Sequence, residues 1–250
     1  MQPQQPADSP MPHRHATGRR TLLLASSLLL GLALPAWPPA WAEEAPPYVT
    51  ARQLDLTVLL APPPDAAVQR IEIDRIIAVQ AEASPERIAQ AVADAKEALF
   101  DMFGGILGAS LDRATLPRTA LLFDRIGASE DATVDPAKPF FGRVRPYLAD
   151  PRVKALVPAS KSGSWPSGHT TRVTMSAIVL AAMLPEQREA IWERARGYAW
   201  SRVIGGMHYP SDLDAGQRAG TAMAAVLLAD PAFQADFAAA RAELRSAMHL

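Results

Sequence analysis

The sequence predicts an all-α fold, a single-domain helical bundle, and three observations favour it. Alanine is abundant, and apolar residues recur at helical spacing along most of the chain. Proline stands at the start of several such stretches, where its fixed φ suits the first turn of a helix. No stretch shows the strict alternation of apolar and polar residues that is typical of a β-strand. With 250 residues, the chain is long enough to bury one core of ordinary size.

The N-terminal residues 1–42 have the layout of a secretory signal peptide. Basic residues precede an apolar run at 22–34, and a small-x-small cleavage site ends at Ala42. The run is short for a membrane-spanning helix, which needs about 20 residues. We therefore expect cleavage near Ala42 and a periplasmic or secreted protein. An arginine pair at 19–20 also resembles a twin-arginine signal, which leaves the export route open between the Sec and twin-arginine systems.

The rest of the chain is expected to form an N-terminal arm, residues 43–66, and one domain, residues 67–250. The arm is predicted to be irregular and to pack over the helices of the domain. Residues 173–184 are apolar nearly all round but too few to cross a bilayer, so they predict a buried core helix. We therefore expect no stable membrane insertion after signal cleavage. The sequence leaves open whether the protein forms a homo-oligomer.

Helices are predicted wherever apolar residues keep helical spacing within the domain. The prolines that mark helix starts are Pro85, Pro185, Pro210 and Pro231. The predicted helices are, in chain order, 67–80, 84–103, 115–127, 170–183, 185–203, 210–229 and 231–247.

The composition excludes several classes of function. The net charge is −1, so nothing suggests a nucleic acid partner. The chain has no cysteine, which rules out disulfides, zinc–thiolate sites and thiol nucleophiles.

The histidines point to a functional site because so few remain in the mature chain. Of 5 histidines, His13 and His15 lie in the signal peptide, and His249 is the penultimate residue. The other two, His169 and His208, lie in short glycine-containing segments that also carry Ser, Arg and Asp side chains. A lone histidine is usually structural, but these surroundings favour a catalytic or binding role.

The two segments suggest different chemistry. Ser167 and His169 stand close together before a predicted helix, so either Ser167 is a nucleophile with His169 as its base or the segment binds another group. His208 precedes the helix opened by Pro210, and Asp212 follows about one turn later. An Asp that accepts a hydrogen bond from one ring nitrogen fixes the tautomer and leaves the other nitrogen free to attack.

A third cluster carries cations. Lys138 and Arg145 are spaced to share one face of a helix, although Pro139 makes a regular helix at this point doubtful. Arg143 lies between them, and a solvated surface charge remains an alternative for it. Together with Arg202, these side chains suit a tetrahedral oxyanion, which arginines and a helix N-terminus bind well. No His or carboxylate cluster has metal-ligand spacing, so we expect no metal.

The three clusters resemble the motif set of the phosphatidic acid phosphatase type 2 (PAP2) superfamily: K-x6-R-P, P-S-G-H and S-R-x5-H-x3-D. They occupy 138–146, 166–169 and 201–212, in the family's order and spacing. The signal peptide, the arm and the surroundings of the third motif are similar to bacterial class A non-specific acid phosphatases. Trp165 and Gly205 depart from that subgroup, which usually carries Tyr and Cys there. We expect Trp165 to alter the rim of the pocket.

The resemblance implies a helical bundle of the PAP2/haloperoxidase type and an exported, metal-independent acid phosphatase that needs no cofactor. It implies that His208 attacks the phosphorus of small phosphate monoesters and forms a phosphohistidine, oriented by Asp212. It implies that His169 protonates the leaving group and then activates water. Ser167 is then a phosphate ligand rather than a nucleophile. The implied phosphate ligands are Lys138, Arg145, Ser167, Gly168 and Arg202.

Three other functions stay open at this point. A vanadium-dependent haloperoxidase would use the same oxyanion pocket, but such chains are usually much longer. A lipid phosphatase of the superfamily usually has several membrane spans, and this chain shows none after the signal. A non-catalytic phosphate-binding protein would have no need of two histidines and a paired carboxylate.

Overall fold

The computed structural model describes residues 46–108 and 110–250, so the predicted signal peptide lies outside the described residues. Within these residues there is no β-strand, and the all-α prediction is confirmed. The helices are α1 Leu56–Leu59, α2 Ala66–Glu82, α3 Pro85–Ala93, α4 Leu99–Leu107, α5 Pro117–Phe141, α6 Pro146–Ala149, α7 Gly168–Met183, α8 Arg188–Ile204, α9 Pro210–Leu228 and α10 Pro231–Ala247. A short 3₁₀ helix, Pro185–Gln187, precedes α8.

The helix starts follow the signals in the sequence. Asp65 accepts hydrogen bonds from the backbone N–H groups of Ala67 and Val68 at 2.9 and 3.0 Å and caps α2. Ser84 and Asp230 cap α3 and α10 in the same way, each followed by proline at the first helical position. These contacts satisfy N–H groups that have no partner within the helix.

The predicted helix 84–103 is wrong, because two helices occupy this stretch. The chain leaves α3 at Asp94, which is buried and accepts hydrogen bonds from Arg194 and Ser201 of α8 at 2.7 and 2.5 Å. These hydrogen bonds hold Asp94 in the interior, where the chain departs from regular helical geometry. The linking segment, 94–98, then runs past the N-terminus of α7.

The helix predicted at 115–127 is also too short, because α5 continues through Pro136 and Pro139. A proline inside a helix removes a hydrogen bond and costs about 3 kcal/mol. Tertiary contacts offset part of this cost. The carbonyl of Ala132, which Pro136 leaves without its usual helical donor, accepts the backbone N–H of Ala51 from the N-terminal arm at 3.2 Å.

Helix α7 lies at the centre of the core and packs against α5, α8 and α9. Its contact with α9 is close because Gly216 and Gly220 of α9 face its backbone. A Cβ added at Gly216 would lie 2.6 Å from the carbonyl oxygen of Ser167, and one added at Gly220 would lie 2.6 Å from that of Thr171. The same contact lets the backbone N–H of Ser167 donate to the carbonyl of Asp212 at 3.1 Å. It therefore joins the second and third sequence motifs.

Residues 46–65 are mostly irregular and contain the one-turn helix α1. Tyr48 is buried, stacks edge-on against Phe233 of α10, and donates its backbone N–H to Ser129 of α5 at 2.8 Å. Across the described residues, no single helix is long and apolar enough to cross a membrane; α9 and α10 pass that test only when they are counted together as a bent pair.

Candidate active site

The sequence motifs meet at a cavity of about 310 Å³, at the ends of α5, α7 and α8 and the turn before α9. The predicted site residues that line it are Lys138, Arg145, Gly168, His169, Arg202 and His208. Ser167 and Asp212 are fully buried beside it. The structure thus brings together groups that are spread over three segments of the chain.

His208 lies in the turn before α9, with both ring nitrogens occupied. Its Nδ1 is 3.2 Å from Asp212 Oδ2, and its Nε2 is 3.1 Å from Arg145 Nη1. Burial lowers the pKa of His208 well below the ordinary value, and the charges of Arg145 and Arg202 lower it further. The neutral ring therefore carries its proton on Nδ1, because an arginine can only donate, and its Nε2 accepts the hydrogen bond of Arg145 beside the cavity that His208 lines.

The turn that delivers His208 depends on Gly206. This residue has a φ of +73°, a left-handed conformation that suits glycine. A Cβ at this position would also collide with the backbone carbonyl of Lys154.

Asp212 is held by Arg143, which also binds Glu72, a residue that the sequence did not single out. Arg143 donates from Nη1 to Asp212 Oδ1 at 2.6 Å and from Nη2 to Glu72 Oε2 at 2.8 Å. The surface-charge alternative for Arg143 is wrong, because the residue is only 5% exposed. Burial raises the pKa of Asp212, while Arg143 and the backbone N–H of Tyr209 oppose this shift. Nothing in the sequence around Glu72 distinguishes it from an ordinary helical glutamate.

Lys138 and Arg145 reach the cavity from different elements, so the expected shared helical face is wrong. Helix α5 ends at Phe141, and Gly142 with a φ of +59° turns the chain away. Lys138 is 2.9 Å from Asp135 Oδ1. Arg145 instead donates to backbone carbonyls, among them those of Ser162 and Met207 at 2.9 and 3.1 Å.

Ser167 caps α7, as its place before the helix suggests. Its Oγ accepts hydrogen bonds from the backbone N–H and the hydroxyl of Thr170 at 3.3 and 3.0 Å. Those contacts engage the oxygen with Thr170 and leave the hydroxyl hydrogen free to donate. Gly168 lines the cavity at the first position of α7, where backbone N–H groups suit an anion.

His169 has a carboxylate partner that sequence reasoning missed. Its Nδ1 is 2.8 Å from Glu97 Oε1, and its Nε2 is 3.3 Å from the Ala95 carbonyl. Burial raises the pKa of Glu97, but the hydrogen bond and charge of His169 and the charge of Arg172 outweigh it and lower that pKa to about 2. Burial lowers the pKa of His169, and Glu97 opposes that shift. Both carboxylates beside the two histidines therefore act as orienting acceptors.

Comparison with known proteins gives this arrangement a family. The sequence model of the PAP2 superfamily matches residues 125–235, which include all three motifs. The non-specific acid phosphatase of Salmonella typhimurium is 30% identical over 220 residues, which cover 84% of this chain and 88% of that protein. The chain belongs to the PAP2 superfamily.

Other PAP2 relatives carry similar names. The non-specific acid phosphatase of Providencia stuartii is 31% identical over 207 residues, covering 77% of this chain and 82% of that protein. The acid phosphatase of Zymomonas mobilis is 35% identical over 144 residues, covering 56% of this chain and 54% of that protein.

In the PAP2 site, Arg202 is the cation with the fewest partners. It lies in the last turn of α8 and is buried, yet its Nε and Nη1 have no hydrogen-bond partner. A buried guanidinium with unsatisfied donors is costly unless an anion completes it. The unsatisfied donors of Arg202 therefore favour an anion on this side of the cavity.

Two further observations concern the chemistry of this PAP2 site. In the parts of the chain that the structure describes, no group of three or more His, Asp or Glu side chains could hold a metal ion. Trp165 is buried against Leu56, Leu60 and Phe141 and is not among the residues that line the cavity. Its expected effect on the pocket rim is therefore wrong, since it packs behind the wall.

Proposed function

We propose that this protein is an exported acid phosphatase that hydrolyses phosphate monoesters through a phosphohistidine intermediate without a metal ion. The observation that carries the proposal is the position of His208, whose neutral Nε2 accepts from Arg145 Nη1 at 3.1 Å beside a cavity lined by cations. A bound phosphate would take over this Arg145 donor and meet the Nε2 lone pair that it leaves. The names of the PAP2 relatives support the same reaction class.

The substrate phosphate would be held by Lys138, Arg145 and Arg202, with the Ser167 hydroxyl and the Gly168 backbone N–H as further donors. These groups would stabilise the charge on the equatorial oxygens as the phosphorus becomes five-coordinate. Such fixed donors are often the largest contribution to catalysis, because they need no reorganisation during the reaction.

In the first step, the Nε2 lone pair of His208 forms a bond to phosphorus while the bond to the ester oxygen breaks. Asp212 accepts the hydrogen bond that the Nδ1–H of His208 donates, and it stabilises the positive charge that the ring acquires. His169 gives a proton to the departing oxygen, and its Nδ1 contact with Glu97 keeps the ring in place. In the second step, His169 takes a proton from water, the water oxygen attacks phosphorus, and the P–N bond breaks to release phosphate.

The proposal includes export, with the predicted signal peptide removed near Ala42 and the protein acting in a periplasm or outside the cell. The layout of residues 1–42 supports this location. The arm, 43–66, and the domain, 67–250, remain the proposed boundaries of the mature chain.

The experiment is to trap the intermediate on the mature protein. A labelled phosphate monoester is mixed with enzyme and quenched rapidly, and we expect an acid-labile, base-stable phosphoenzyme that maps to His208. His208→Ala should not form it, while Asp131→Asn, a change at an exposed cavity residue, should. Turnover without any phosphohistidine would refute the covalent route. Bromide oxidation by vanadate-loaded protein with peroxide would instead support the haloperoxidase alternative.

A further inference from the structure

One buried carboxyl group in the cavity wall has no part in the proposed mechanism. Glu130 of α5 lines the cavity and is only 3% exposed. Its Oε2 accepts hydrogen bonds from Arg172 Nε and Nη2 at 3.2 and 2.9 Å. Among the described residues, no hydrogen bond reaches its other oxygen, Oε1.

The free oxygen faces the phosphate-binding end of the cavity. A Cβ built on Gly168 would lie 2.6 Å from Glu130 Oε1 and 3.6 Å from Lys138 Nζ. Oε1 thus sits beside the first residue of α7 and close to a cation proposed to hold phosphate. Glu130 Oε1 therefore lies next to two of the groups that are proposed to hold phosphate.

The charges around Glu130 favour its neutral form. Arg172 is shared by three carboxylates, at 2.9 Å from Glu130, 2.8 Å from Asp131 and 3.7 Å from Glu97. One guanidinium cannot balance three negative charges, and Glu130 is the most deeply buried of the three. Lys138, the remaining cation of α5 that faces it, is itself paired with Asp135.

Burial raises the pKa of Glu130 to about 7, with Glu97 and Asp131 adding to the shift and Arg172 and Lys138 opposing it. His169 of α7 also faces this cluster, and its Nδ1 is engaged by Glu97 at 2.8 Å. In mildly acidic solution Glu130 therefore holds a proton, and that proton belongs on the unpaired Oε1.

We propose that Glu130 is a phosphate ligand that works only as the neutral acid, donating an Oε1–H hydrogen bond to an oxygen of a bound phosphate dianion. This inference rests on the proposed function, and it gives a physical reason for the phosphatase to bind its substrate best in acidic solution. A neutral carboxyl group donates to the anion, whereas a carboxylate would repel it across a water-poor pocket. Binding of a dianion is then coupled to the presence of one proton on Glu130.

The coupling has a measurable sign and size. When Glu130 is protonated in the free enzyme, a dianion binds without uptake of a proton at this site. Above the pKa of Glu130, the carboxylate must take up a proton from solution when the dianion binds. The affinity for the dianion therefore falls about tenfold per pH unit. The loss therefore appears on the alkaline side.

The test uses sulfate, which remains a dianion through the mildly acidic and neutral range, so the probe itself does not titrate. Sulfate binding is measured calorimetrically at several pH values, each in two buffers of different ionisation enthalpy, which gives the number of protons taken up. Wild type is compared with Glu130→Gln, a neutral residue of the same shape whose amide can donate to the anion while its carbonyl accepts from Arg172.

On the alkaline side we expect wild type to take up close to one proton more than Glu130→Gln. We also expect its sulfate affinity to fall about tenfold more steeply per pH unit. The histidines take up protons in both proteins, so the difference isolates Glu130. The matched control is Asp131→Asn, which shares Arg172 but is 62% exposed. It should keep the wild-type slope and proton uptake, with their onset moved to lower pH because the charge of Asp131 helps to raise the pKa of Glu130. If Glu130→Gln does not fold, Glu130→Leu should show the same flat slope with weaker binding.

Equal proton uptake and equal slopes in wild type and Glu130→Gln would overturn the inference. Because the readout is binding, its failure differs from failure of the proposed function. Normal sulfate-linked proton uptake without ester hydrolysis would leave Glu130 as an anion ligand and refute the phosphatase. No sulfate binding to either protein would overturn the inference, while the proposed function would still be decided by the phosphoenzyme experiment.

Discussion

Removing the charge of Arg143 should destabilise the protein strongly, because this guanidinium bridges two buried carboxylates. It bonds to Asp212 Oδ1 at 2.6 Å and Glu72 Oε2 at 2.8 Å, and its side chain is 2% exposed. It also lies over the ring of Tyr209, 3.9 Å from the centroid. Breaking a buried ion pair by removing one partner typically costs 3–5 kcal/mol, so we expect about that loss for Arg143→Met.

The effect should depend on pH in a definite direction. Without Arg143, the pKa of Asp212 in the folded protein rises further above its unfolded value. The folded variant then keeps a proton that the unfolded chain releases, so stability is lost as the pH rises. Because the pKa of Asp212 is already raised to about 7 in the wild type, the two proteins diverge above that pH, and the deficit should be smallest in acid and grow on the alkaline side of neutral.

The assay is urea unfolding of wild type and Arg143→Met at several pH values. The matched control is Arg152→Met, which also removes an arginine bonded to two aspartates, Asp150 and Asp74, but at a site 61% exposed. Exposed pairs contribute little, so the control should stay close to wild type. A deficit for Arg143→Met as small as the control, or one that does not vary with pH, would refute the reasoning.

The remaining predictions concern chemistry and processing. His169→Ala should lose about 10²–10⁴-fold in rate on alkyl phosphates but far less on nitrophenyl phosphate, because a nitrophenolate leaves without a proton; equal losses on both would exclude it as the acid. His208→Ala should abolish turnover of both substrates, and labelled phosphate still trapped on nitrogen in this variant would remove it as the nucleophile. Vanadate should inhibit strongly, and chelators should leave activity intact. Loss of activity on chelation that added Mg²⁺ or Zn²⁺ restores would contradict a metal-free reaction. N-terminal sequencing of exported protein should give Glu43 first, and retention of the 22–34 run would contradict cleavage.

The residues that line the cavity, and are proposed to contact phosphate, could be predicted from the sequence because they lie in unusual segments. His169 follows a Pro-Ser-Gly turn, and His208 follows two glycines and precedes a proline that begins a helix. Such segments carry local signals of backbone geometry, and the spacing of Asp212 from His208 gives a contact within one helical turn. Here 3.2 Å separates the two side chains, in line with that spacing.

The supporting carboxylates could not be predicted because their signals are not local. Glu72, Glu97 and Glu130 are glutamates in helices or in a short link, and that residue type is usually on the surface there. What buries them is the packing of distant elements, such as the break at Asp94 that carries Glu97 to His169. The same reason explains why α5 runs past two prolines: its compensating contact comes from the arm, far away in sequence.

The pairing of charges around the cavity shows why these unpredicted carboxylates matter. Each of Lys138, Arg143 and Arg172 has at least one carboxylate within 4 Å. Among the charged side chains of residues 46–108 and 110–250, none places a carboxylate at that range from Arg145 or Arg202.

Arg145 contacts Nε2 of His208, and Arg202 keeps unsatisfied donors. Carboxylates thus neutralise Arg143 and Arg172, which hold the fold, while Lys138 has only Asp135, whose side chain is 58% exposed. Arg145 and Arg202 keep uncompensated positive charge at the point where His208 would meet phosphorus. Placed beside Arg145 or Arg202, a carboxylate would occupy the donors that a phosphate needs. The position of the acidic residues therefore decides where the anion binds as much as the position of the basic ones does.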